Sequence, residues 1–176
     1  AVTVIPPCSG RVELNATLDA HGTFTDSTPY ARYRNRAVCE WLIRAPAGKA
    51  VEVRFPRFDT AYGDYVRMYD GSSTSATLVM ARSGGYSVNQ GPYGSSGEYL
   101  LVRFTSGRSV TFTGFAAEYR AVTPSCSGRV ELNATGTVST FSDNWNVTAG
   151  SHYSNNAVCE WLIRAPAGKA VEVRFP

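Results

Sequence analysis

No apolar run in these 176 residues approaches the ~20 that a membrane-crossing helix needs, and no segment carries a helical stripe of useful length. Histidine occurs only at His21 and His152, both in polar settings without the fixed partners that a nucleophile–base pair demands. Lysine occurs only at Lys49 and Lys169, and the net charge of +3 comes from scattered arginines. The steep phosphate attraction of nucleic-acid binders therefore has no footprint. The four cysteines lack the short ligand gaps of a zinc site, and no histidine flanks them in metal-ligand register. Gly84-Gly85 and Gly91–Gly97 fall between strand-like segments, so no glycine-rich loop opens a helix to cradle phosphate. Asp59-Thr60-Ala61 faintly resembles the Asp-Thr-Gly of aspartic proteases. That chemistry needs two carboxylates sharing a proton, and there is one such tripeptide. These absences point away from an enzyme.

What is present is repetition. With 43% apolar and 18% charged residues the chain is globular. Cys8–Thr17 (CSGRVELNAT) recurs letter for letter at Cys126–Thr135, and Ala37–Pro56 (AVCEWLIRAPAGKAVEVRFP) recurs at Ala157–Pro176. The offsets are 118 and 120 residues, so the period is a whole domain, and the second copy stops where the first still has its latter half to run. Between the shared blocks, Leu18–Arg36 is replaced by the unrelated Gly136–Asn156, as expected of a surface connection. Arg32, Arg34 and Arg36, the one local basic cluster, have no counterparts there. Ala1–Pro7 is too short for the apolar core of a signal peptide and reads as linker, which suggests a piece of something longer.

Four cysteines allow three pairings, and the duplication favours Cys8 with Cys39 and Cys126 with Cys159. Bridging such a loop stabilises a fold by roughly 3–4 kcal/mol in the chain-entropy model, provided the compartment is oxidising. Three glycosylation sequons agree, at Asn15, Asn133 and Asn146. Secreted, matrix or cell-surface residence follows.

Period-two alternation marks half-buried strands around Cys39, Trp41 and Ile43, and around Val51, Val53 and Phe55. Further strands are expected at Tyr65–Tyr69, Thr77–Ala81, Tyr99–Thr105 and Phe115–Tyr119. Breaks are expected at Ala45–Gly48, Asp70–Ser72, Ser83–Gly85, Gly91-Pro92 and Ser106-Gly107. Short strands at this spacing describe an all-β, two-sheet antiparallel sandwich. Its core would hold Trp41, Ile43, Val53, Phe55, Val66, Met68, Leu100, Val102, Phe104 and Phe115.

The order of these elements resembles the CUB domain family. The residues that carry the likeness are Cys8 and Gly10, Tyr33-x-Asn35 before Cys39-x-Trp41-x-Ile43, Val53-x-Phe55-x-x-Phe58-Asp59, Asp64-x-Val66 and Tyr69-Asp70-Gly71. Phe104-x-Ser106 and Gly114-Phe115-x-Ala117-x-Tyr119 complete them. The likeness divides the chain into a linker at 1–7, a module at 8–120, a linker at 121–125 and the first half of a second module at 126–176, where Tyr153-x-Asn155 precedes Cys159. It implies a jelly-roll-like sandwich, repeated in tandem, that binds extracellular proteins or glycans and has no catalysis of its own.

Two departures from the family pattern stand out. The cysteines for a second disulfide are absent. The family's Ca²⁺ site is matched only at Asp64, with Asp59 as a second candidate carboxylate, while Ala61 and Gly107 stand where two ligands are expected. Ca²⁺ is thus the one candidate cofactor, and the alternative is that Asp64 and Asp59 are ordinary turn and loop residues. Tyr62, Tyr86 and Tyr93 sit among Gly and Ser, either as contacts on an adaptable binding surface or as rings packed over sheet ends.

Near-identical units favour a structural or adhesive repeat whose partners are neighbouring copies, by tandem or head-to-tail contacts that can propagate into a fibre. A receptor-like module that recognises a glycan or protein through its loops is the alternative. Half a sandwich exposes Trp161, Ile163, Val173 and Phe175, so continuation of the chain, or strands donated by another chain, is expected to complete it.

Overall fold

The structure, a computed structural model, describes residues 8, 10–27, 31–86, 90–124, 128–141 and 159–175. The chain separates into two compact units, Ala1–Thr123 and Pro124–Pro176.

Unit one is the all-β sandwich that the alternation predicts. Its first sheet is ordered β1 (Gly10–Asn15), β3 (Val38–Arg44), β9 (Tyr99–Thr105), β5 (Tyr65–Asp70) and β6 (Thr77–Arg82). The second is ordered β2 (Gly22–Thr25), β10 (Gly114–Val122), β4 (Ala50–Asp59) and β7 (Gly85–Tyr86), with β8 (Gln90–Gly94) also pairing β4. Neighbours are antiparallel except β1 and β3, which run parallel with Gly10 opposite Cys39 and Asn15 opposite Arg44. The chain crosses to the other sheet as β2 between them and so returns in the same direction. The Cys8–Cys39 disulfide, with Cα atoms 5.2 Å apart, holds the two strand starts side by side.

The core forms where the inward residues of both sheets meet. All ten residues expected there are buried. Phe115 is its hub, with ring centroids 5.6 Å from Trp41, 5.6 Å from Phe55 and 5.7 Å from Phe104, all edge to face. Such pairs contribute about 0.5–1.5 kcal/mol each beyond the area they bury.

Three local expectations change. Leu18–Arg36 is more than a surface connection, because Phe24, Asp26, Ser27 and Tyr33 are buried. Phe24 lies on β2, which pairs with β10, and its ring sits 5.0 Å from that of Trp41. Gly85 and Gly91-Pro92, read as breaks, belong to β7 and β8. Both strands run along an edge of β4, and β8 pairs with an irregular register, which is where a proline lacking an N–H is tolerated. Asp59 is the last residue of β4, opposite Gly114 and Gly85, rather than a loop residue.

Unit two contains a parallel pair, β11 (Gly128–Asn133) and β12 (Cys159–Arg164), with Gly128 opposite Cys159 and Asn133 opposite Arg164. This is the register of β1 on β3. Val171, Val173 and Phe175 lie outside any strand and are exposed.

Candidate binding surface

In unit one, β4 ends and β5 begins at the same end of the sandwich where β9 ends and β10 begins. Three connections therefore meet there, through residues 31–37, 60–64 and 106–113. The backbones of the first and third are tied together. The Arg36 amide donates to the Gly107 carbonyl at 2.6 Å, and the Ser106 amide to that of Ala37 at 3.1 Å. The Ser106 hydroxyl accepts from the Ala37 amide and donates to the Arg34 carbonyl.

Asp64 is the buried charge in this assembly, 3% exposed. Its Oδ2 accepts from the Tyr33 hydroxyl at 2.7 Å and its Oδ1 from the Gly107 amide at 2.7 Å. The Tyr33 oxygen in turn accepts from the Ala61 amide at 2.7 Å. The Tyr33 ring stands edge-on to Phe104 at 5.0 Å, so the phenol is anchored by the core and its polar tip reaches the turn. Burial, and then the bond to the Asp64 carboxylate, push its pKa up to about 12, which keeps the phenol a donor. Thr60 Oγ1 closes the turn by donating to the Asp64 carbonyl and accepting from the Gly84 amide.

Asp26 is the second buried carboxyl, 1% exposed. Oδ1 accepts from the Phe115 amide at 2.9 Å, whereas Oδ2 has no hydrogen-bond partner among the described residues. Burial raises its pKa to about 6, against the lowering effects of the Phe115 amide and the Arg57 charge. Gly114 beside it has φ +73°, and a Cβ there would run into the Asp26 carboxyl group, so glycine is required twice over.

A Ca²⁺ ion wants six to eight oxygens and enough negative charge to offset its dehydration. Both Asp64 oxygens are already engaged by protein donors, and Ala61 and Gly107 bring no side-chain oxygen. Asp59 is turned to other work, accepting from the Thr113 hydroxyl at 2.8 Å. Among the described residues no three His, Cys, Asp or Glu side chains gather as metal ligands. The donor set does not fit the ion.

The remaining candidates are scattered. Tyr62 stands 94% exposed in the turn before Asp64. Tyr93 lies in β8, half-buried, and packs against the core, its ring 6.2 Å from Phe55. Tyr86 lies in β7 opposite Phe58. Asn15 and Asn133 are exposed at the ends of β1 and β11. Cys159 is disulfide-bonded, while Cys126, Asn146 and His152 lie outside the described residues. Tyr33 was visible in the sequence only as part of a motif, and Asp26, in the stretch that the two copies do not share, gave no signal.

The family model that matches this chain is that of the CUB domain, over residues 8–119. The chain is 37% identical over 164 residues to exoskeleton protein RP43 of Riftia pachyptila, covering 90% of this chain and 36% of that protein. It is 32% identical over 156 residues to cubilin of Sus scrofa, covering 84% of this chain and 4% of that one. The chain therefore spans only a part of the length of these relatives. Among solved structures, the full extracellular region of zebrafish Gpr126/Adgrg6 is similar with a TM-score of 0.50 and 31% identity, covering 66% of this chain and 15% of that one. Matched by that family's model over more than half of its length, and closed by a Cys8–Cys39 disulfide, this extracellular chain belongs to the CUB domain family.

Proposed function

We propose that the chain is a stretch of a non-catalytic, multi-module extracellular protein in which CUB modules act as structural or adhesive repeats. The observation that carries this is the parallel pair of unit two. Over identical sequence, β11 and β12 take the register of β1 and β3, so the second unit begins to fold as the first does. On this reading residues 8–120 are one module, 121–125 a linker and 126–176 the first half of another. Cys126 pairs with Cys159, and Asn15, Asn133 and Asn146 carry glycans. Neighbouring copies are the principal partners, and head-to-tail contacts that do not close would build a fibre. Similarity to an exoskeleton protein supports a material role. No Ca²⁺ is needed, since hydrogen bonds from Tyr33 and Gly107 already hold the Asp64 charge.

The test is the intact mass of natively isolated material under non-reducing, denaturing conditions, before and after deglycosylation. A species far above 19.0 kDa that survives deglycosylation is expected. One near 19.0 kDa plus glycans would sink the tandem-repeat reading.

A further inference from the structure

The loop end of unit one is unbalanced in charge at its surface. Residues 31–36 (ARYRNR) and 106–113 (SGRSVTFT) bring Arg32, Arg34, Arg36 and Arg108 to two strips of chain and carry no carboxylate between them. Those strips are hydrogen-bonded to each other from Arg36 to Gly107 and from Ser106 to Arg34. Arg32 crosses between them, its guanidinium donating to the Thr111 carbonyl at 2.6 Å. All four arginines are exposed, and none makes an ion pair among the described residues. The nearby carboxyls pair with none of them. Asp64 and Asp26 are buried, and Asp59 is held by Thr113. The outer face thus offers planar, always-charged donors of the kind that grip sulfate and carboxylate in two-point fashion.

We propose that this arginine-bearing loop end is a binding surface for a sulfated polysaccharide. The cations run along two tied strips rather than around a pocket, which suits an extended polyanion. Ser109, Thr111 and Asn35 interleave them with groups able to meet sugar hydroxyls, and exposed Phe112 and Tyr62 offer ring faces to sugar rings. The surface belongs to unit one alone, because the replacing stretch Gly136–Asn156 contains no Arg or Lys. The inference rests on reading unit one as an extracellular binding module and not on tandem repetition, so the mass experiment above can fail without touching it.

The full chain, disulfides formed, is loaded on immobilised heparin and eluted with NaCl. Arg34→Gln/Arg36→Gln/Arg108→Gln removes three charges whose side chains make no hydrogen bond within the described structure. Arg129→Gln/Arg164→Gln/Arg174→Gln removes the same charge from unit two. The first triple variant is expected to elute earlier. Its affinity for soluble heparin falls about tenfold or more, and its log–log salt slope falls by about two to three, as counterion release from a polyanion requires. The second is expected to change affinity by less than about twofold, since those charges are no part of the proposed surface and exposed charges outside it are screened at physiological salt. Desulfated heparin should compete poorly. Equal shifts in both variants would mean that retention follows net charge, and no retention of the parent chain would end the proposal. Polyglutamate competing as well as heparin would assign the surface to an acidic protein instead.

Discussion

Residues 37–56 and 157–176 are the same twenty letters in one chain, yet the described residues 159–175 do not share one structure with 39–55. Val51, Val53 and Phe55 are 0% exposed on β4, whereas their copies Val171, Val173 and Phe175 are 38%, 43% and 85% exposed and belong to no strand. Upstream the copies agree, since Cys39–Arg44 and Cys159–Arg164 are both strands and pair in one register with the strands that precede them. The difference lies in the partners. β3 and β12 each have a first neighbour within the shared sequence, whereas β4 is made by β10 on one side and β8 with β7 on the other. Alternation nominates a strand, and the ladder and the facing sheet decide whether it forms. The charged residues behave likewise. Glu172 and Arg174 pair at 2.7 Å in solvent, while Glu52 is buried and needs both Arg54 and Arg120.

The largest test of this contrast is one substitution made twice. Phe55→Ala empties a core site ringed by Phe58, Tyr93 and Phe115 and is expected to cost unit one about 3–5 kcal/mol. Phe175→Ala, the same change in the same heptapeptide, is expected to stay within about 0.5 kcal/mol. Urea dependence of amide exchange at Leu100–Phe104 reads the first, and at Cys159–Arg164 the second. Equal losses would mean that Phe175 is buried in a core of its own, and the contrast would collapse.

The same contrast explains what the sequence could announce. Trp41, Phe55, Phe104 and Phe115 stand in period-two runs, so their strands and their burial were legible from alternation alone. Phe24 was not, because β2 is four residues long and sits in a stretch that differs between copies, where variability reads as surface. Gly91-Pro92 misled in the opposite direction, since proline usually interrupts a ladder, yet β8 needs few donors at its place beside β4. The departures at Ala61 and Gly107 were visible as missing ligands. What replaces them was not, because the Tyr33–Asp64 bond joins residues 31 apart through a fold that the sequence only implies.

A smaller separation of the two units comes from pH. Asp26 lies in the unshared stretch, and burial raises its pKa from 3.8 to about 6. The folded unit therefore keeps a proton that the unfolded chain has already released above its lower pKa. Its stabilising effect is complete below about pH 4, declines as pH rises to about 6, and is gone above that, a change on the order of 2–3 kcal/mol. Thermal melts of unit one across this window should show the decline. Asp26→Asn, which keeps an acceptor for the Phe115 amide, should flatten it, and a slope unchanged in that variant would assign the effect to another group.

The smallest expected effect decides what holds Asp64. Tyr33→Phe removes one oxygen and leaves two buried groups, Asp64 Oδ2 and the Ala61 amide, without their partner. A loss of about 1–2 kcal/mol in the urea unfolding of unit one is expected, because the cost of stranding buried polar groups exceeds the worth of the bond itself. Tyr153→Phe alters the matching motif of the second copy, but this chain carries no second version of the Ala61–Asp64 turn, so no loss is expected there. The contrast sharpens if the melts are repeated with millimolar CaCl₂. A Tyr33→Phe loss that Ca²⁺ leaves untouched supports a carboxylate held by hydrogen bonds alone. A loss that Ca²⁺ restores would show that Asp64, once freed from the phenol, takes a cation in its place.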